Sequence, residues 1–187
     1  MPSTMVTVDG FGVPVDVAGP DKGSVVVVLG AAHHAAAAYD AVCQRLHTAS
    51  LRTIVIGPDP RLTAKSVVGI LDALDVKWAL LVGDRIGGEL AWELAATRLD
   101  RFIGLVVIDR GHPCVADLTG VIRDEHCPPV EMNTTALVST PAARAVAKAS
   151  QRYVYGDFRL VDLLGRRNAQ ESTAQLAAEI VLRTSSW

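Results

Sequence analysis

The residues of this 187-residue chain best placed to do chemistry lie in the run Leu80 to Leu94, LLVGDRIGGELAWEL. Gly83, Gly87 and Gly88 bracket Asp84, Arg85 and Ile86. Glycines at that spacing let a strand turn sharply into a helix and hold the apex side chain in a strained, projecting position. The apex residue is Arg85. Its guanidinium stays protonated at any working pH and cannot attack a carbonyl carbon. Its planar fork suits a carboxylate or phosphate ligand, and it can equally pair with Asp84 or Asp109. Asp84, just before the apex, reads either as a displaced nucleophile or acid, or as an acceptor that stabilises the turn and Arg85.

Further candidates are spread along the chain. His33 and His34 follow an apolar run and could serve as base or metal ligands, but neighbouring residues point apart and no third ligand stands at a recognisable spacing. Helix-capping or loop histidines are the plainer reading. Asp109 and His112 follow another apolar run and could form an acid-base pair, or Asp109 could be structural. Cys114 and Cys127 would need a nearby base to become nucleophiles, and none is assigned. Trp92 reads as core. Arg166 and Arg167 could hold an anion, or stand exposed with no specific task.

Net charge and composition bound the partners. A net charge of -2, with half of the residues apolar and 20% charged, gives no electrostatic case for nucleic acid or an anionic membrane. A small anionic or polar ligand, or a protein partner, is expected. No apolar run reaches the roughly 18 residues of a membrane span. The opening MPSTMVTVDG lacks the basic and apolar blocks of a signal peptide, so a cytoplasmic location is expected. Cys43, Cys114 and Cys127 have no metal-site spacing and read as reduced thiols, with no metal implied.

The elements that must position these residues follow from periodicity. Met5 to Val8 and Val13 to Val17 alternate about Asp9-Gly10-Phe11-Gly12 and predict an antiparallel pair. Val25 to Leu29, Thr53 to Ile56, Trp78 to Val82, Phe102 to Ile108, Val130 to Val138 and Phe158 to Leu164 predict buried strands. Tyr39, Val42, Cys43 and Leu46 share one helical stripe; Val67, Ile70, Leu71 and Leu74 share another, over about Thr63 to Leu74. Leu90, Ala91, Leu94 and Ala95 line the helix after the apex. Thr140-Pro141 starts a helix through about Ala149. Ser172 and Gln175 predict a capping box for a closing helix that buries Leu176, Ala177 and Ile180. Strands alternating with helices predict an α/β fold with a mostly parallel sheet and ligands at the carboxyl ends of its strands.

In that order, the chain resembles the α/β-hydrolase superfamily over nearly its whole length. Val82-Gly83-Asp84-Arg85-Ile86-Gly87-Gly88 is similar to the family's V-G-H-S-M-G-G nucleophile elbow. The helix Leu90 to Ala96, the strand Arg101 to Asp109 and the Val13 to Pro20 run are also similar to family members. The resemblance implies one domain over 1–187, with an eight-stranded sheet, helices on both faces and no cofactor. The family's lid inserts between the strands ending at Ile108 and beginning at Val130; here it is absent or vestigial.

The resemblance also implies a nucleophile at the apex, a histidine after the last strand and a carboxylate to orient it. At those places stand Arg85, Gly165-Arg166-Arg167-Asn168 and Ser139-Thr140-Pro141-Ala142, and no histidine follows His126. The backbone N–H of Ile86 and one from Ala31-Ala32 match the family's oxyanion hole. Those donors, with Arg85, His33 and His34, make up the expected ligand site. The expectation is a protein whose triad is replaced and which binds a ligand or a protein, including a second copy over the missing-lid surface. The alternative is a hydrolase or lyase with acid and base drawn from Asp84, Asp109, His33, His34 and His112.

Overall fold

Strands and helices follow one another as the apolar runs require. The structure, a computed structural model, describes residues 3–31, 36–163 and 169–185. Its strands are β1 (Ser3–Val6), β2 (Gly12–Ala18), β3 (Ser24–Leu29), β4 (Leu51–Ile56), β5 (Ala79–Asp84), β6 (Phe102–Ile108), β7 (Thr134–Val138) and β8 (Phe158–Asp162). Its helices are α1 (Asp40–Thr48), α2 (Ala64–Ala73), α3 (Ile86–Thr97), α4 (Pro141–Ser150) and α5 (Ala169–Thr184). The strands form one eight-stranded sheet in the order β1-β2-β4-β3-β5-β6-β7-β8. β2 is antiparallel to β1 and β4; the other pairs are parallel.

Successive residues of a strand point to opposite faces, so a strand buried on both sides must be apolar throughout. Val26, Val28, Leu80, Val82, Val106 and Ile108 pack on one face with Val42, Cys43 and Leu46 of α1 and Ala177 and Ile180 of α5. Val27, Leu29, Leu81, Leu105 and Val107 pack on the other with Val67, Ile70 and Leu71 of α2, Ala91, Trp92 and Leu94 of α3, and Ala143 and Ala147 of α4. The caps follow local chemistry. Thr63 and Ser66 form a reciprocal capping box on α2, and the Thr140 hydroxyl accepts the Ala143 N–H at 3.0 Å ahead of α4.

Several boundaries differ from the sequence-based expectation: β1 spans Ser3–Val6 and not Met5 to Val8, β4 begins at Leu51 and not Thr53, and β5 runs on to Asp84 and not Val82. β7 begins at Thr134, while Val130 makes an isolated bridge to Val154. The polar Glu131 and Asn133 break the apolar run there. β8 ends at Asp162, two residues early. Ser172 does not cap α5, because that helix already runs from Ala169; Gln175 instead donates to the Asp162 carbonyl at 2.7 Å. Far along α5, buried Arg183 donates to the Thr135 hydroxyl and the Thr134 carbonyl, fixing the helix to β7. The segment 109–133 between β6 and β7, fully described, contains no helix. Among the described residues no helix is long and apolar enough to cross a membrane.

Candidate functional site

The end of β5 feeds α3 through one residue, and that residue carries the strain. Arg85 has φ 51° and ψ -110°, a backbone region that costs a non-glycine residue about 1–3 kcal/mol. Its N–H donates to the Ile108 carbonyl at 3.0 Å, and its carbonyl accepts the Gly88 N–H at 2.8 Å. Close packing enforces the turn. A Cβ on Gly83 would sit 2.6 Å from the Gly88 Cα, and one on Gly87 would collide with the Leu29 carbonyl. Arg85 is thus held at the carboxyl edge of the sheet with its side chain 47% exposed and its guanidinium 3.6 Å from the Asp84 carboxylate. Ile86 beside it is also exposed. As the first residue of α3, its N–H has no intrahelical acceptor.

Asp84 is buried, and its surroundings join three elements. Its Oδ2 accepts the Tyr39 hydroxyl at 2.7 Å. The same hydroxyl accepts the backbone N–H of Ala31 at 2.8 Å. Tyr39 precedes α1 and Ala31 follows β3, so one phenol ties both to the end of β5. Burial, together with the adjacent Asp84 carboxylate, holds the Tyr39 phenol above its ordinary pKa. Tyr39 was expected only as part of an apolar stripe. The signal for its role is its hydroxyl, since a buried tyrosine oxygen requires a partner.

Asp109 and His112 are not in a dyad with one another. Asp109 sits at φ 56°, accepts the Ser139 N–H at 2.7 Å on Oδ1 and accepts the Ser139 hydroxyl on Oδ2. It laces the end of β6 to the end of β7. His112 is fully buried, stacked on Tyr153 at 4.7 Å and edge-on to Trp92. Its Nδ1 accepts the Cys114 N–H at 3.1 Å, which assigns the proton to Nε2, 2.8 Å from the Pro128 carbonyl. Burial lowers its pKa, which favours the neutral ring. Both nitrogens are engaged by backbone.

A cleft of about 890 Å³ opens on the Ile86 side of the elbow. Leu29, Gly30, Ile56, Pro58, Pro60 and Leu62 form one wall, Ile86, Glu89, Leu90 and Glu93 a second, and Pro113, Arg123, Asp124 and Cys127 a third. Arg123 is held by the Gly111 carbonyl at 2.9 Å and by Glu89 at 3.4 Å. Asp59 is held by Arg61 at 2.9 Å. The walls do not include Arg85, Asp84, Tyr39, Asp109 or His112. The candidates thus separate into an edge cluster around Arg85 and a mostly apolar cleft next to it. Ile86 belongs to both, as neighbour of Arg85 and as cleft wall. Ala32, His33, His34, Arg166 and Arg167 lie outside the described residues. Among the described residues no group of three His, Cys, Asp or Glu side chains is arranged to hold a metal ion.

No family model and no curated protein matches the chain in sequence. Solved structures match its fold closely. Epoxide hydrolase A from Mycobacterium thermoresistibile superposes with a TM-score of 0.77 at 12% identity, over 100% of this chain and 99% of that one. An esterase from Exiguobacterium antarcticum gives a TM-score of 0.75 at 13% identity, over 96% of this chain and 99% of that one. The DbeA-M1 loop variant of a haloalkane dehalogenase from Bradyrhizobium elkanii gives 0.73 at 12% identity, over 100% and 98%. The chain has the α/β-hydrolase fold, with a mostly parallel sheet.

Proposed function

We propose that this protein is a non-catalytic, cytoplasmic binding module built on the α/β-hydrolase fold, with the hydrolytic triad replaced and a small ligand taken up at the carboxyl edge of its sheet. The observation that carries this reading is the hydroxyl of Tyr39. It is bonded to the Ala31 N–H, on the segment that supplies an oxyanion donor in hydrolases of this fold, and is held there by Asp84. An incoming oxyanion would have to displace it. Arg85 at the strained apex, with no histidine after His126 in the sequence, supports the same conclusion. An elbow kept without its nucleophile is a rigid scaffold for binding.

The ligand fitting these surroundings is a small molecule with an apolar body and an anionic or polar end. The body would lie along Leu29, Pro58, Leu62 and Leu90, with the polar end towards Arg85, whose fork suits a carboxylate or phosphate. A thermal-shift screen of short- and medium-chain carboxylates and their amides tests this. A raised Tm for carboxylates over amides, lost in Leu90→Trp and levelled between the two in Arg85→Gln, is the expected result. No ligand raising the Tm of the wild-type protein would count against it.

One further observation favours a protein partner instead. Leu118, Val121 and Ile122 are each more than half exposed on the segment between β6 and β7, where the family's lid would sit. Light scattering across concentration tests pairing of two copies through that face; a dimer dispersed by Val121→Asp supports it, and a monomer at every concentration removes it.

A further inference from the structure

The segment between β6 and β7 leaves the sheet and returns to it through feet that are pinned together. The imidazole of His112, fully buried, accepts the Cys114 N–H at 3.1 Å and lies 2.8 Å from the Pro128 carbonyl, so one rigid ring holds both ends. The Asp124 N–H donates to the Pro113 carbonyl at 3.2 Å. The Cys114 thiol sulfur stands 3.2 Å from the carbonyl oxygen of Cys127 and 3.5 Å from that of Glu125. The Cys114 thiol therefore lies against the backbone of Cys127 at the base of a closed loop, Cys114 partly exposed and Cys127 buried. Cys43, the other cysteine, lies on α1 against the opposite face of the sheet.

We propose that Cys114 and Cys127 are a redox couple that closes the base of this loop with a disulfide when a peroxide is present. This goes beyond ligand binding in the cleft and does not depend on it. Because the feet are already held together by His112, bonding the two sulfurs asks for no new loop closure. Cys114, the more exposed of the two, is the sulfur that meets the peroxide. Its thiolate attacks one peroxide oxygen, the O–O bond breaks, and an alcohol or water leaves with Cys114 as the sulfenic acid. The Cys127 sulfur then attacks the Cys114 sulfur; the S–S bond forms, the S–O bond breaks, and the hydroxide leaves as water with the Cys127 proton. Burial, and after it the neighbouring Cys114, push the Cys127 thiol up to about 12, so Cys127 is not the sulfur that meets the peroxide first.

The bond would fix the loop carrying Arg123 and Asp124, two residues of the cleft wall. The test treats the native protein with hydrogen peroxide, unfolds it, alkylates with N-ethylmaleimide and maps the peptides by mass. The expected result is one alkylated cysteine, Cys43, and a Cys114–Cys127 link two hydrogens lighter than the dithiol. Dithiothreitol should restore three alkylated cysteines. Slower amide exchange over 115–126 in the oxidised protein should accompany the link. In Cys127→Ser, verified as folded by circular dichroism, Cys114 should proceed to the sulfinic acid. Three alkylated cysteines after peroxide, a wild-type Cys114 sulfinate beside an alkylated Cys127, or a link between two molecules would each overturn the proposal.

Discussion

The hydroxyl of Tyr39 donates to the carboxylate of Asp84 at 2.7 Å while accepting the Ala31 N–H at 2.8 Å. One side chain thus serves one oxygen of a buried carboxylate and a buried backbone donor at the carboxyl ends of β3 and β5. The chemistry of that edge follows from it. The Ala31 N–H already has an acceptor, and one oxygen of the Asp84 carboxylate already has a proton donor.

Removing that hydroxyl should cost stability without opening a reaction. Tyr39→Phe leaves the Ala31 N–H and the Asp84 oxygen without this partner, a loss of about 1–3 kcal/mol. Urea unfolding at neutral pH measures it. The Tyr39 phenol is held above its ordinary pKa, so the folded state resists its ionisation. Its contribution is full below the unfolded value of about 10 and fades as pH rises past it. Stability of the wild type should therefore fall more steeply above pH 10 than that of Tyr39→Phe.

His112 sets the acid side. Its pKa is lowered by burial, so below the unfolded value of about 6.5 the unfolded chain binds a proton that the folded chain resists. Stability present above pH 6.5 should decline as pH falls, by up to about 1.4 kcal/mol per pH unit for one proton, until the folded group titrates. Guanidinium midpoints between pH 5 and 8 measure the slope. His112→Gln should be less stable at pH 8 but should lack this slope. Protonating Nδ1 also removes the acceptor for the Cys114 N–H, so the protection of loop-foot amides, relative to their intrinsic exchange at each pH, should fall over the same range.

The elbow separates conformational strain from close packing. Arg85→Gly removes the cost of φ 51° on a side-chain-bearing residue and should change stability between zero and a gain of about 2 kcal/mol. Arg85→Val, branched at Cβ, should lose stability. Gly87→Ala forces a Cβ into the Leu29 carbonyl and should lose more than about 3 kcal/mol or fail to fold. Thermal unfolding of the three variants checks the order.

Much of this architecture is legible in the sequence, because both-face burial makes each central strand a continuous apolar run and each helix a stripe. The elbow is legible for the same kind of reason, since Gly83 and Gly87 stand where a Cβ cannot fit. Tyr39 was not, because its partner Asp84 is 45 residues away and the stripe pattern hides a hydroxyl among apolar neighbours. Asp109 and His112 suggest a dyad by proximity in sequence. In space, Asp109 turns to Ser139 and His112 to the backbone of Cys114 and Pro128, choices made by how the following segment folds back. The cleft is a product of that segment as well, and no local pattern announces it.

The central proposal is a binding site at the elbow without hydrolytic turnover. Steady-state hydrolysis of p-nitrophenyl acetate and butyrate by the purified wild-type protein tests it most directly. The account predicts a rate linear in substrate, matched by an unrelated protein at equal concentration and unchanged in Asp84→Ala and Arg85→Ala. Saturable turnover at about 1 s⁻¹ or faster, lost in a folded Asp84→Ala, Arg85→Ala, His33→Ala or His34→Ala variant, would contradict it and establish an acid-base enzyme.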